Sequence, residues 1–248
     1  MPSKNTPRTR KPAVYSETLR VESGQVNAAR RLRVSALMRL LQQASVAHTQ
    51  LLGCGRERTL DKGLLWVVVR QDIRIRRMPE YDETVVLKTW PLDTMHVLFP
   101  RGYQITSETG ETLVCGCMLW TLVDARTRKA VFPEPYGIAI AGVQGPLETP
   151  LPEAVAERPL AREQSYTGRF SQTDINGHIN NACYFDLCED LIPVSTLLKK
   201  SPCRVQAQYT HEIRMGEKII IRCGGRRGSW QFAGGGRRPC FRIELGYK

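Results

Sequence analysis

Histidine is scarce in this sequence, and no Cys-x-x-Cys pair occurs. There are four histidines and eight cysteines among 248 residues. Zinc sites draw their ligands from closely spaced Cys and His residues, so the sequence gives little support to a zinc site. The triplet Gly53-Cys54-Gly55 follows a predicted helix, whereas a dinucleotide-binding loop follows a strand. We therefore expect neither a metal nor a cofactor.

Long hydrophobic runs are also missing. The longest run near the middle of the chain, LLWVVV at 64–69, has the length of a strand and is far shorter than a membrane span. The N-terminal segment has no acidic residue before Glu17 and no apolar stretch, which is not the pattern of a secretory signal. We expect residues 1–12 to be a disordered basic tail on a cytoplasmic protein. The Arg-rich, acid-poor character of this tail leaves a plastid or another organelle as the alternative.

Without a secretory signal, the eight cysteines are interpreted as reduced, buried small hydrophobic residues rather than as a disulfide set. Hydrophobic residues make up 42% of the chain, which is enough for a sizeable core. The length allows one large domain or two small ones.

Positive charge is abundant. The formal net charge is +12, with basic clusters at 8–11, 30–33, 74–77, 226–227 and 237–238. Such a field attracts an acidic partner, which could be nucleic acid, a membrane surface or an acidic carrier protein. For each cluster taken alone, solvated surface charge is the alternative interpretation. The net charge alone does not distinguish among these three kinds of partner.

The order of predicted elements is one long helix followed by an antiparallel meander. Apolar residues recur at three- and four-residue spacing from Ser35 until Gly53 and Gly55 end the helix. Strand patterns follow at 64–76, 83–90, 97–107 and 111–123. Turn signals at 109–110 and 124–128 separate the later strands. The segment 133–159 holds six prolines and is predicted to be a linker. The predicted domains are therefore 13–132 and 160–248.

The first pattern returns beyond the linker. The dipeptide VN at 26–27, before the first helix, parallels IN at 175–176, before a second predicted helix over 184–199. In the same way, RM at 77–78 parallels RM at 214–215. These offsets are 176 − 27 = 149 and 215 − 78 = 137 residues. Chance similarity between strands is the alternative. The matched dipeptides occur in the same order in both halves, however, which favours a duplicated unit.

The two copies differ in chemistry. In this alignment, Gln25 and Ala29 stand where the second copy has Asp174 and His178. The N-terminal half therefore lacks the groups for the same site. We expect it to bury a ligand chain or to complete the fold.

Residues 174–185, DINGHINNACYF, are the most informative stretch. Asp174, Asn176 and His178 occupy alternate positions, so they could point one way from an extended segment. Two asparagines follow and could cap the next helix, leaving backbone N–H groups to polarise a carbonyl. The alternative is an ordinary turn, because Asx-rich segments with glycine usually satisfy their own backbone.

The pattern Asp-x-Asn-x-His-x-Asn-Asn-x-x-Tyr resembles the active-site signature of the acyl-ACP thioesterases, a family of the hot-dog superfamily. The resemblance implies an α+β double hot-dog fold, with two antiparallel sheets each wrapped around a long helix. It also implies hydrolysis of fatty acyl-ACP, which releases free fatty acid and holo-ACP and so terminates fatty acid synthesis. The implied partner is the acidic acyl carrier protein.

The same resemblance adds a glutamate from a later strand. Glu212 follows Tyr209 by three residues, as in the Tyr-x-x-Glu pattern of the family. Plant members commonly have Cys after that Glu, and here Ile213 removes a cysteine nucleophile at this position.

Thioester hydrolysis needs an oriented water, a proton acceptor and donors to the developing oxyanion. Asp174 is expected to be the base or nucleophile, and Glu212 to position the water. Asn176 is expected to be an orienting amide, and His178 either a donor to the carbonyl or an orienting group. If the two carboxylates approach each other in a partly buried pocket, repulsion and desolvation would raise at least one pKa.

Two rival functions remain at this stage. An acyl-CoA thioesterase would use the same chemistry, although many such enzymes are single hot-dog units. A non-catalytic acyl-binding or nucleic-acid-binding hot-dog protein would use the positive charge, but no aromatic-interleaved basic stripe supports a nucleic-acid partner, and none is expected. The sequence leaves a homodimer open. It does not determine the acyl chain length.

Overall fold

The computed structural model describes residues 12–226 and 228–248. The predicted basic tail at residues 1–12 lies outside these ranges except for Pro12. The helices are α1 (Val34–Leu51), α2 (Cys183–Glu189) and α3 (Val194–Lys199). The strands of the described part are β1 (Tyr15–Arg20), β2 (Leu64–Ile75), β3 (Thr84–Pro91), β4 (Leu98–Ser107), β5 (Thr112–Asp124), β6 (Arg162–Thr167), β7 (Pro202–Tyr209), β8 (Lys218–Arg226), β9 (Ser229–Gly235) and β10 (Pro239–Tyr247).

The strands form one antiparallel sheet in the order β1-β3-β4-β5-β2-β7-β10-β9-β8-β6. Read from its outer edge, each half has the same internal order, 1-3-4-5-2 and 6-8-9-10-7, so the duplication predicted from the sequence is present as a repeated topology. The two predicted sheets meet where β2 pairs with β7, from Arg70↔Gln208 to Arg74↔Arg204. The halves therefore share a continuous backbone ladder.

The first predicted helix is α1, which packs on the N-terminal half of the sheet. Its apolar stripe, with Leu37, Leu41 and Ala44 fully buried, recurs at the spacing that places side chains on one helical face. The helix ends where Gly53 adopts a positive φ of 76°, which glycine reaches without strain.

The second predicted helix, over residues 184–199, is not continuous. The structure has α2 and α3 separated by a short turn. The physical reason is Pro193, which lacks an N–H and disfavours helical conformation in the residue before it. Leu191 and Ile192, in this interruption, are buried in the core. The expected long helix of the C-terminal half is thus two short ones.

Between β5 and β6, the regular structure in the described chain is one turn of 3-10 helix, Glu134–Tyr136. This segment nevertheless packs on both halves. The N–H of Val143 donates to the carbonyl of Pro91, and the side chain of Gln231 donates to the carbonyl of Ala156. We propose 13–132 and 160–248 as the domains, with 133–159 as a linker that adheres to both.

All eight cysteines are free thiols, and six of them are buried. Across residues 12–226 and 228–248, no group of three or more His, Cys, Asp and Glu residues has an arrangement that could hold a metal ion. Over the same residues, none of the helices is long and apolar enough to cross a membrane.

Candidate active site

The signature segment folds as a tight loop before α2. The N–H of Asn176 donates to Oδ1 of Asp174 at 2.9 Å, and the N–H of Asp174 donates to the carbonyl of His178 at 2.9 Å. Gly177, between them, has a positive φ of 76°. The segment is therefore a turn that satisfies its own backbone, and the side chain of Asn176 lines a pocket.

The N-terminal half contains a loop with the same hydrogen bonds. Its alignment with the signature loop differs by two residues from the predicted one. The N–H of Ala29 donates to Oδ1 of Asn27, and the N–H of Asn27 donates to the carbonyl of Arg31. Asn27 thus corresponds to Asp174, an offset of 174 − 27 = 147 residues. The predicted alignment of Gln25 with Asp174 and of Ala29 with His178 is therefore wrong. The hydrogen bonds of the loop define the correspondence, and a matching dipeptide does not.

The alignment of the second dipeptide, RM at 77–78 with RM at 214–215, is also wrong. The N–H of Leu32 donates to the carbonyl of Pro79, as the N–H of Ile179 does to that of Ile213. The offset is 213 − 79 = 134 residues, so buried Met78 corresponds to Glu212. The conclusion that the N-terminal half lacks the chemistry therefore holds, for corrected positions.

His178 and Glu212 are in direct contact. Nε2 of His178 lies 3.0 Å from Oε1 of Glu212. The loop is fixed against the glutamate's segment, because the N–H of Ile179 donates to the carbonyl of Ile213 at 2.8 Å. The glutamate side chain keeps 28% of its surface exposed, so solvent reaches the pair.

An arginine from the other half completes this cluster. Arg128, in the turn after β5, places Nη2 3.1 Å from Nε2 of His178 and Nη1 3.6 Å from Oε2 of Glu212. Arg214 lies 3.4 Å from Oε1. Sequence reasoning assigned residues 124–128 only to a turn, since nothing in their pattern shows which distant loop they face.

Burial lowers the pKa of His178 below its ordinary value. Glu212 and Asp174 act in the opposite direction, and Arg128 and Arg214 add to the lowering. The imidazole is therefore neutral at pH 7 and has one ring proton. With that proton on Nε2, His178 donates a hydrogen bond to Glu212.

Asp174 is held by its own loop, whereas Glu212 is held by His178, Arg128 and Arg214. Within the described ranges, no hydrogen bond joins Asp174 to Glu212. Asp174 uses Oδ1 to hold its own loop, and the described chain provides no hydrogen bond to Oδ2. Mutual repulsion between the two carboxylates stays a prediction. Asp174 has one oxygen left for a water molecule.

A pocket of about 360 Å³ opens beside the loop. Ile175 and Asn176 contribute to its lining from the signature loop. The rest of the lining comes from the N-terminal half and is mainly apolar, including Leu64, Leu65, Trp66, Phe99, Trp120 and Ile140. The N-terminal half thus supplies the apolar walls together with polar side chains such as Arg101, and the signature loop of the C-terminal half adds Asn176.

Side chains of α1 tie the two halves together near the loop. Nε2 of Gln42 donates to Oδ1 of Asn181 at 2.7 Å, and Arg39 lies 3.6 Å from Asp186. The neighbouring Asn180 accepts a hydrogen bond from the N–H of Ala182, two residues on, which makes an Asx turn before α2. In the described part of the chain, no side chain caps α2, so the predicted asparagine cap is wrong.

Family models match most of the chain. The model of the acyl-ACP thioesterase N-terminal domain matches residues 12–135, and that of the acyl-ACP thioesterase C-terminal domain matches residues 157–233. A chloroplastic acyl-[acyl-carrier-protein] hydrolase, FATB2, of Cuphea viscosissima is 24% identical over 80% of this chain and 52% of its own length. The chloroplastic palmitoyl-acyl carrier protein thioesterase of Arabidopsis thaliana is 25% identical over 80% of this chain. The chain spans about half the length of the curated relatives it matches.

Solved structures have the same fold. An acyl-ACP thioesterase from Bacteroides thetaiotaomicron superposes with a TM-score of 0.82 at 21% identity, covering 95% of this chain and 98% of that one. The 12:0-ACP thioesterase from Umbellularia californica gives 0.78 at 21% identity, covering 97% and 99%. These superpositions confirm the predicted α+β double hot-dog fold.

Proposed function

The chain belongs to the acyl-ACP thioesterase family, and on this premise we propose that it hydrolyses the thioester of fatty acyl-ACP, releasing free fatty acid and holo-ACP. In this role it terminates fatty acid synthesis. The observation that carries the proposal is the contact of His178 with Glu212 and Arg128, on a signature loop whose Asn176 lines a pocket with apolar walls.

The acyl chain lies in the pocket of the N-terminal half. Apolar walls favour a hydrocarbon chain because its burial removes apolar surface from water. Asn176 is the polar residue of the signature loop that lines this pocket, so its amide is placed to orient the thioester carbonyl. The scissile bond then lies between the pocket and the polar cluster.

Asp174 acts on the attacking water. As a base, it takes a proton from water through Oδ2 while the water oxygen bonds to the carbonyl carbon; the alternative is direct attack by the carboxylate. The C–S bond then breaks, and the carrier's sulfur leaves with a proton as holo-ACP. Glu212 is held by His178, Arg128 and Arg214 and positions the water. The Asn176 amide, which the loop holds in place before the reaction, can stabilise the developing oxyanion without a rearrangement of the site.

The remaining features of the proposal are predictions. We assign the protein to the cytoplasm, with a plastid as the alternative that the chloroplastic names of its plant relatives favour. A homodimer stays open. Catalysis without a metal and the lack of a nucleic-acid partner also stay predictions.

Purified protein given acyl-ACP and acyl-CoA of several chain lengths tests the function. We expect faster release of acid from acyl-ACP. Hydrolysis of acyl-CoA alone would identify the rival enzyme, and binding of acyl chains without any hydrolysis would identify a non-catalytic module.

Carrier recognition should depend on salt. The chain has a net charge of +12, and attraction to an acidic carrier weakens as ions screen it. Raising ionic strength should lower kcat/KM for acyl-ACP more than for a small soluble thioester of the same acyl chain. Equal salt sensitivity of the two substrates would contradict electrostatic recognition of the carrier.

Replacing Arg128 should move the acid limb of the pH–rate profile. Arg128 lowers the pKa of His178, so Arg128→Met should raise that pKa. We propose that neutral His178 is the active form, so the rate should then fall at a higher pH than in the wild type. The measurement is kcat/KM against pH.

Arg126→Met is the matched control, because it removes an exposed arginine of the same turn. Its acid limb should coincide with that of the wild type. Identical limbs in the two variants would contradict the role of Arg128.

A further inference from the structure

The wall of the pocket contains a buried arginine without an acidic partner. Arg101, on β4, is 5% exposed and lines the pocket. Its Nη1 lies 2.9 Å from Nδ1 of His48, and its Nη2 donates to Oγ1 of Thr49 at 3.3 Å. No Asp or Glu in the described part of the chain forms an ion pair with it. Its two side-chain partners are both neutral groups.

His48 does not supply the missing negative charge. Its Nε2 lies 2.9 Å from the carbonyl oxygen of Pro12, which can only accept, so the ring proton is on Nε2. Nδ1 is then free to accept from Arg101. Burial also lowers the pKa of His48, with Arg101 adding to that effect, so the ring is neutral. The guanidinium of Arg101 therefore has hydrogen-bond partners but, within the described ranges, no negatively charged group near it to balance its charge.

A buried ion without a counter-ion is among the costliest arrangements in a folded protein. Burial lowers the pKa of Arg101, yet an arginine keeps its proton inside proteins. An apolar residue would pack in the wall of a hydrocarbon pocket without this cost. The position of Arg101 in that wall indicates that its balancing group comes from a ligand.

A second donor of the same wall lacks a partner. Nε1 of Trp66 is buried and, within the described ranges, makes no hydrogen bond. The indole packs edge-on against Phe99, with ring centroids 4.8 Å apart. Phe99 and Arg101 are two residues apart on β4 and share a face of the sheet. The unbalanced charge of Arg101 and the unpaired Nε1 of Trp66 thus both adjoin Phe99 in the pocket wall.

We propose that the acyl chain bound in this pocket carries an acceptor oxygen that pairs with Arg101. The inference rests on the proposed function and names its substrate class: thioesters of oxygenated fatty acids, with a carboxylate, hydroxyl or oxo group on the chain. A carboxylate fits best, because it matches the guanidinium in charge and in its two-pronged geometry. A plain hydrocarbon chain leaves the charge of Arg101 unbalanced and Nε1 of Trp66 without a hydrogen bond.

The test compares kcat/KM for matched pairs of acyl-ACP substrates, one plain and one bearing a carboxyl or hydroxyl group, at several chain lengths and positions. For each protein, kcat/KM of the oxygenated substrate is divided by that of the plain substrate, so that a general loss of activity in a variant cancels. We expect at least one oxygenated chain to be favoured by roughly ten- to a hundredfold, the size of a hydrogen bond to a charged group. Arg101→Met should abolish that preference, and Trp66→Phe should reduce it.

Arg20→Met is the control for net charge, because it removes an exposed arginine that is paired with Asp82. Its ratio should equal that of the wild type. A preference for plain chains throughout, or a preference for oxygenated chains that survives Arg101→Met, would overturn the inference. Hydrolysis of plain chains alone would leave the thioesterase function standing, whereas no hydrolysis of any chain would refute both.

Thermal unfolding with free acids gives a readout that is independent of turnover. An oxygenated acid should raise the Tm of the wild type more than the plain acid of equal length, because tighter binding to the folded state stabilises it further. Arg101→Met should remove the difference. Equal shifts for the two acids in the wild type would count against the inference even if both bind.

Discussion

Asp174→Asn should lower kcat by about 10²- to 10⁴-fold while the protein stays folded. The substitution removes the charge that makes Asp174 a base or nucleophile. It keeps the oxygen that accepts from the N–H of Asn176. The N-terminal loop shows that an amide suffices for this structural role, since Asn27 accepts the corresponding bond from Ala29.

The measurement is steady-state hydrolysis of acyl-ACP, with circular dichroism and Tm to establish folding. Asn27→Asp is the matched control: it makes the reverse exchange in the loop that lacks counterparts of His178 and Glu212, and should leave the rate within a few fold. Wild-type activity in a folded Asp174→Asn protein would contradict the mechanism. Inactivation of the wild type by thiol alkylation would point instead to a cysteine such as Cys183.

Residues 160–248 expressed alone should aggregate or self-associate. Without the N-terminal half, β7 loses its pairing with β2 and becomes an open edge. The fully buried Val205 and Ala207 on β7 would lose part of their cover. The contact of Gln42 with Asn181, which holds the signature segment to α1, would also be lost.

Size-exclusion chromatography with light scattering gives the state of this fragment, and the full chain purified in parallel is the control. Co-expression with residues 12–159 should restore a soluble, active complex if the linker is not needed as a covalent connection. A stable, active monomer of residues 160–248 would refute the dependence of the halves on each other.

The fold was predictable because its signals are local. The apolar period of α1 and the alternating strands indicate one helix and a meander without knowledge of distant contacts. The interruption after α2 was foreseeable from Pro193, but the apolar residues around it suggested a continuous helix. Pairing between β2 and β7 was not predictable, because it depends on how the two halves meet.

The site was predictable to the extent that it lies in one segment. Asp174, Asn176 and His178 share a loop, and Glu212 was assigned only through the Tyr-x-x-Glu pattern of the family that the sequence resembles. Arg128 was missed because its role depends on a contact with His178, 50 residues away in the chain. Short dipeptide echoes misaligned the two copies, whereas the shared hydrogen bonds of Asn27 and Asp174 align them without ambiguity.

The conversion of acyl-ACP to holo-ACP, followed by mass spectrometry of the intact carrier, tests the central claim most directly. The full chain should produce holo-ACP and free fatty acid in equal amounts from a saturating supply of acyl-ACP. The Asp174→Asn protein, at the same concentration, should convert it at least about a hundredfold more slowly. Intact acyl-ACP of every chain length after incubation with the folded wild type would contradict the claim.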